Sequence, residues 1–170
     1  MSDHALYCTN TEVVPAGVAN AILKRNATND GWEFKTPIQL ATLLQSTFTE
    51  QATNTTTGSA AFVTLLTQSI TISAGSVLLI EVSASISNTN PNINMDIQLN
   101  IDAAAVRGAG LRPSAANQPN VASIVYRKTG LAAGAHTILL QWRTATNTAQ
   151  CRPVATVNEH ASIMIQEVTV

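Results

Sequence analysis

In the stretch MDIQLNIDA, residues 95–103, Met95, Ile97, Leu99, Ile101 and Ala103 alternate without exception with Asp96, Gln98, Asn100 and Asp102. A period of two puts one set of side chains against a core and the other toward water, which is the pattern of a half-buried antiparallel strand. The same period recurs along the chain. In SVLLIEVSASIS (76–87), Leu78, Ile80, Val82, Ala84 and Ile86 share a face opposite Glu81, Ser83 and Ser85. In GAHTILLQWR (134–143), Ile138, Leu140 and Trp142 share one. AFVTLLTQSITI (61–72), VASIVYRKTG (121–130) and the closing ASIMIQEVTV (161–170) read the same way, with turn residues such as SAG between them. RGAGLRPSAANQPN (107–120) reads as a Gly/Pro-punctuated loop with room for a short strand, and RPVATV (152–157) as an edge strand. Short strands at regular spacing with no helical period between them predict a two-sheet antiparallel sandwich or jelly roll over residues 52–170.

Ahead of that region the period changes. Thr36 is placed as an N-cap, Pro37 at the first helical position and Gln39 as the partner in a capping box. Leu40, Leu43, Leu44 and Phe48 follow at helical spacing, so one helix is expected over about 36–51. A turn cluster, Asn29-Asp30-Gly31, precedes it, and the polar linker ATNTTTGS (52–59) follows. The expected division is therefore an N-terminal segment, 1–51, and a β-domain, 52–170.

A sandwich of this kind needs a soluble surface, and here it is built with little charge. Only 11% of the 170 residues are charged, the aromatics are 4%, and the net charge is −1. Thr, Asn, Ser, Gln and Ala must cover the outside, which suits a chain that hides much of its surface in an assembly or one that works outside the cell. The charge balance lacks the basic footprint that nucleic-acid binding requires. Arg107, Arg112, Arg127, Lys128, Arg143 and Arg152 fall in the second half and are read as solvated or inter-subunit charges. No apolar run approaches the roughly 18 residues of a membrane span, and MSDHALYCTN lacks the pattern of a secretory signal. Cys8 and Cys151 have no CxxC or Cys/His companions, so both are expected to be free thiols, with no metal.

Catalysis needs a nucleophile, a base and an orienting group, and the three histidines, His4, His136 and His160, read as terminal or loop-edge residues. No GxSxG, P-loop, HExxH or EF-hand pattern occurs, and no cofactor is expected. The acids of residues 95–103 are spread too far along the strand for a glycosidase pair: Asp96 to Asp102 is about 20 Å by strand rise. The row Asp96, Gln98, Asn100 and Asp102 is the candidate for hydrogen-bonding sugar hydroxyls, against its reading as a solvated sheet face. Trp142 is either core or, if exposed, a platform for a sugar ring.

The order of these features resembles the trimeric jelly roll of the tumour necrosis factor and complement type, as found in bacteriophage fibre, spike and decoration proteins. The stretches that carry the resemblance are AFVTLLTQSITISAGSVLLIEVSASIS, MDIQLNIDAAAV, GLAAGAHTILLQWRTATNTAQ and ASIMIQEVTV. Within them, Leu131, Gly134, His136, Ile138, Leu140, Gln141 and Trp142 look like the step into a late strand of such domains. Arg25, Ala27 and Gly31 resemble residues near the N-terminus of phage fibres. The scarcity of aromatics departs from the pattern, because in such families aromatics often line the trimer axis. The resemblance implies a homotrimer on a virion assembled in a bacterial cytoplasm, attached to other virion proteins through residues 1–51 and able to touch host-surface carbohydrate. A free carbohydrate-binding module and an esterase or glycosidase with a site between subunits are the alternatives.

Overall fold

A computed structural model of the chain describes residues 22–25, 32–35, 42–153 and 159–169. The chain divides into two compact units, residues 1–40 and 41–170. In the first, β1 (Ile22–Arg25) and β2 (Trp32–Lys35) pair antiparallel, with Ile22 opposite Lys35 and Arg25 opposite Trp32.

The second unit is all-β among its described residues. Its strands are β3 (Leu43–Glu50), β4 (Thr55–Thr57), β5 (Val63–Ile72), β6 (Val77–Asn88), β7 (Met95–Ile101), β8 (Ala104–Leu111), β9 (Asn120–Lys128), β10 (Gly134–Thr144), β11 (Ala149–Cys151) and β12 (Ala161–Val168). They form two antiparallel sheets. The smaller runs β5-β10-β7-β8. In the larger, β6 is flanked over the same residues by β12 and by β9, which must therefore lie on opposite edges. Alternate residues of a strand present their backbone groups to opposite edges. Ser85 N donates to the His160 carbonyl and Thr89 N to the Thr148 carbonyl, whereas the Asn88 carbonyl accepts from Asn117 N. Hence β11 extends the β12 edge of β6. Outside that edge, β3 pairs with β12 and β4 with β11. Taking β3 with β4 as the first strand and β11 with β12 as the eighth, the sheets read 1-8-3-6 and 2-7-4-5 in chain order.

The core lies between the sheets, where the sequence put its apolar faces. Leu78, Ile80, Val82, Ala84 and Ile86 of β6 meet Met95, Ile97 and Leu99 of β7 and Ile138, Leu140 and Trp142 of β10, with Ile163 and Ile165 of β12 beside them. Trp142 is only 1% exposed. One buried acid ties an end of the sandwich together: Glu167 accepts from Ser73 N at 2.6 Å and from Gln45 Nε2 at 2.6 Å, and the Ser73 bond, more than any other influence, holds its carboxyl below the usual range.

Three expectations change. The helix does not form over residues 43–50, which are strand β3, paired from Ser162↔Glu50 to Val168↔Leu43; the capping residues Thr36, Pro37 and Gln39 lie outside the described residues. Local spacing fitted a helix, but propensity is a weak prior. Thr47, Phe48 and Thr49 suit a strand, and β12 offers an edge to pair with. Second, the alternation of residues 95–103 stops at Ile101: Asp102 and Ala103, at φ +50° and +66°, make the two-residue turn into β8. Third, residues 107–111 belong to β8, so the irregular connection begins at Arg112. Most of the expected edge strand 152–157 lies outside the described residues.

Candidate functional site

The sandwich has two outer faces, and they are made differently. On the smaller sheet, the polar residues of β7 stand beside their cross-strand neighbours on β10. Asp96 faces Arg143, whose Nε donates to Oδ2 at 2.8 Å, while the Arg143 guanidinium lies 4.6 Å from the centre of the Phe62 ring. Gln98 Nε2 donates to Asn100 Oδ1 at 2.7 Å, and Asn100 Nδ2 donates to Gln141 Oε1 at 3.1 Å. Asn100 is buried.

At the end of the row, His136 sits against the Asp102 turn. Its Nδ1 is 2.6 Å from Asp102 Oδ2 and its Nε2 is 2.9 Å from the Ala132 carbonyl. Both partners are acceptors, so the arrangement favours the doubly protonated ring over the neutral one. Asp102 Oδ1 also accepts from Thr137 N at 2.9 Å. The hydrogen bond between them raises the His136 pKa above, and lowers the Asp102 pKa below, their ordinary values.

Of the candidate sugar-binding row, Asp96, Gln98 and Asn100 stand on β7 and Asp102 in the turn that follows it, and each makes a hydrogen bond within the chain. Trp142 points the opposite way, into the core, and has no ring face open for stacking on a ligand. Arg143, Gln141 and His136 are not recognisable as partners of this row in the sequence, because they lie 34 to 47 residues away along the chain. Arg152, expected at the surface, forms a fork on the fully buried Glu159: Nε to Oε2 and Nη2 to Oε1, both at 3.1 Å. Cys151 is a buried free thiol whose pKa burial pushes up to about 12; Cys8 lies outside the described residues. His160 is 3.0 Å from Glu50. Among the described residues, no group of three His, Cys, Asp or Glu side chains is placed to hold a metal ion.

The larger sheet is the contrary case. Every large hydrophobic exposed among the described residues belongs to it: Leu43, Leu44 and Phe48 of β3, Leu79 of β6, and Val121 and Val125 of β9. The registers place Phe48 beside Met164, Met164 beside Glu81, and Glu81 beside Val125, one row straight across the outer face. Phe48 is 62% and Val125 73% exposed. A shallow hollow of about 200 Å³ lies along this row, lined by Leu79, Glu81, Val125, Met164 and Gln166.

No family model matches the chain, and no curated protein matches it in sequence. Among solved structures it is similar to the VP2 subviral particle of infectious bursal disease virus, with a TM-score of 0.45 and 9% identity over 87% of this chain and 44% of that one. It is also similar to the EclA C-terminal domain, a sugar-binding protein, with a TM-score of 0.35 and 14% identity over 82% of this chain and 95% of that one. The chain thus spans less than half the length of the VP2 chain. At this level of likeness the functional reading rests on the chain's own geometry.

Proposed function

We propose that this protein is a structural or attachment component of a phage-like virion. In this reading it is a homotrimer of jelly rolls of the tumour necrosis factor type, it carries no enzyme site, and it assembles through the outer face of the larger sheet. The observation that carries the reading is the concentration of exposed large hydrophobics on that one face, since apolar side chains gathered on one surface and rimmed by polar ones mark an interaction site. The strand orders 1-8-3-6 and 2-7-4-5 support the jelly roll, because an eight-stranded double-sheet Greek key closes in this way. The low charge of the chain supports permanent self-association, since obligate interfaces resemble a core cut in two. The number of copies is taken from the resemblance described above. Of the expected attachment segment, residues 1–40 lie ahead of β3, and these would contact other virion proteins. The smaller sheet then faces outward, where it would meet host-surface carbohydrate.

Native mass spectrometry of the full chain and of a chain starting at Ala41 tests the assembly. Three copies in both, at three times the 17.9 kDa chain mass for the full protein, is the expected result. Three copies only with residues 1–40 present would move assembly off the sheet face. A monomer in both would overturn the reading in favour of an isolated carbohydrate-binding sandwich.

A further inference from the structure

At one end of the smaller sheet, a cleft of about 290 Å³ lies where β7 begins and β8 ends, lined by Asn94, Asp96, Gly110, Leu111 and Arg112. Its floor is bare for a reason visible in the register. Gly110 stands directly opposite Asp96, and a Cβ at position 110 would come within 3.1 Å of Asp96 Oδ1. With no side chain there, Oδ1 is open to the cleft. The other oxygen is not: Oδ2 accepts from Arg143, which is itself steadied over Phe62. Asp96 is thus a held carboxylate with one free acceptor, and Arg143 offsets its charge.

Arg112 contributes the opposite property. Its Nε donates to the Asn92 carbonyl at 3.1 Å, which fixes the root of the guanidinium on the turn before β7. It makes no ion pair among the described residues. Arg143, from outside the lining, offsets the Asp96 charge, and Arg112 is the cation of the cleft itself. Asn94 is anchored through its backbone carbonyl, which accepts from Ala145 N at 3.0 Å; its exposed side-chain amide has no protein hydrogen-bond partner among the described residues. Leu111 supplies an apolar wall.

We propose that this cleft binds a single anionic sugar residue, with Arg112 pairing its acid group and Asp96 Oδ1 and the Asn94 amide taking its hydroxyls. Small polar ligands are held by a few placed donors and acceptors against an apolar surface, and a guanidinium suits a carboxylate geometrically. The proposal rests on the reading of the smaller sheet as the outward face of the assembled protein, and it names the class of carbohydrate that face selects.

The test is ligand-observed NMR titration of the full chain with D-glucuronate, D-glucose and acetate, with the solution mass recorded on the same samples. Glucuronate should bind at least about tenfold more tightly than glucose, which lacks the charge-assisted contact, and than acetate, which lacks the hydroxyls. Arg112→Gln should bring glucuronate down to the level of glucose, and Gly110→Ala, which crowds Oδ1, should weaken both sugars. Equal binding of the three ligands, no binding of glucuronate, or indifference to both substitutions would overturn the site. A trimer that fails to bind glucuronate sinks the site alone; a monomer that binds it sinks the assembly alone.

Discussion

The two outer faces of the sandwich solve the same problem, an exposed sheet surface, by opposite means. On the smaller sheet, each polar side chain of β7 finds a partner within the sheet: Asp96 with Arg143, Gln98 with Asn100 on its own strand, and Asn100 with Gln141. On the larger sheet, the row Phe48, Met164, Glu81, Val125 contains almost nothing that a neighbour within the chain can satisfy. Hydrogen bonds can be completed inside one molecule, whereas exposed hydrocarbon is removed from water only by another surface. The difference separates a face whose polar side chains pair mostly within the chain from one that leaves large hydrophobics in water, and it is on the second that the proposed assembly would close.

The core on which both faces stand gives the largest expected effect. Trp142→Ala should cost about 3–5 kcal/mol in chemical denaturation, because it empties the centre of the layer between the sheets. If Trp142 instead served a ligand, the substitution would leave stability nearly unchanged.

Smaller changes should affect one face without the other. Gln141→Ala removes the acceptor of the buried Asn100 amide and should destabilise by about 1–2 kcal/mol without altering the solution mass. A change in mass would mean that the polar face takes part in assembly. Ala103→Gly should stabilise by about 1 kcal/mol, read from the denaturation midpoint, because Ala103 occupies left-handed backbone at φ +66° that glycine adopts freely.

The Asp102–His136 clamp should give a pH dependence confined to the smaller sheet's end. Because the His136 pKa is raised on folding, its contribution is complete below roughly pH 6.5 and lost as pH rises through the elevated value. Because that of Asp102 is lowered, its contribution is complete above roughly pH 4 and lost on acidification through the depressed value. Thermal unfolding across pH should therefore show a plateau between these limits, and Asp102→Asn should flatten it. An unchanged profile in that variant would remove the clamp from the account.

How much of this was readable in advance follows the range of the interactions involved. The strands around Ile80, Ile97, Leu140 and Ile163 are visible because alternation is a local signal. Strand β3 is not, since Leu40, Leu43, Leu44 and Phe48 match helical spacing and only pairing with β12, more than a hundred residues later, decides the matter. The polar row was visible as a row, but its engagement was not, because its partners are contributed by β10. The apolar outer face was hidden for a related reason: Phe48, Leu79 and Val125 are scattered residues until the register aligns four strands, β3, β12, β6 and β9.

The most direct test of the central claim is sedimentation equilibrium on the full chain and on the Phe48→Glu/Val125→Glu double variant. The natural chain should sediment as a trimer and the variant as a folded monomer, with the β-rich circular dichroism of the two alike. A trimer that survives both charges, or a natural chain that sediments as a monomer, would contradict it.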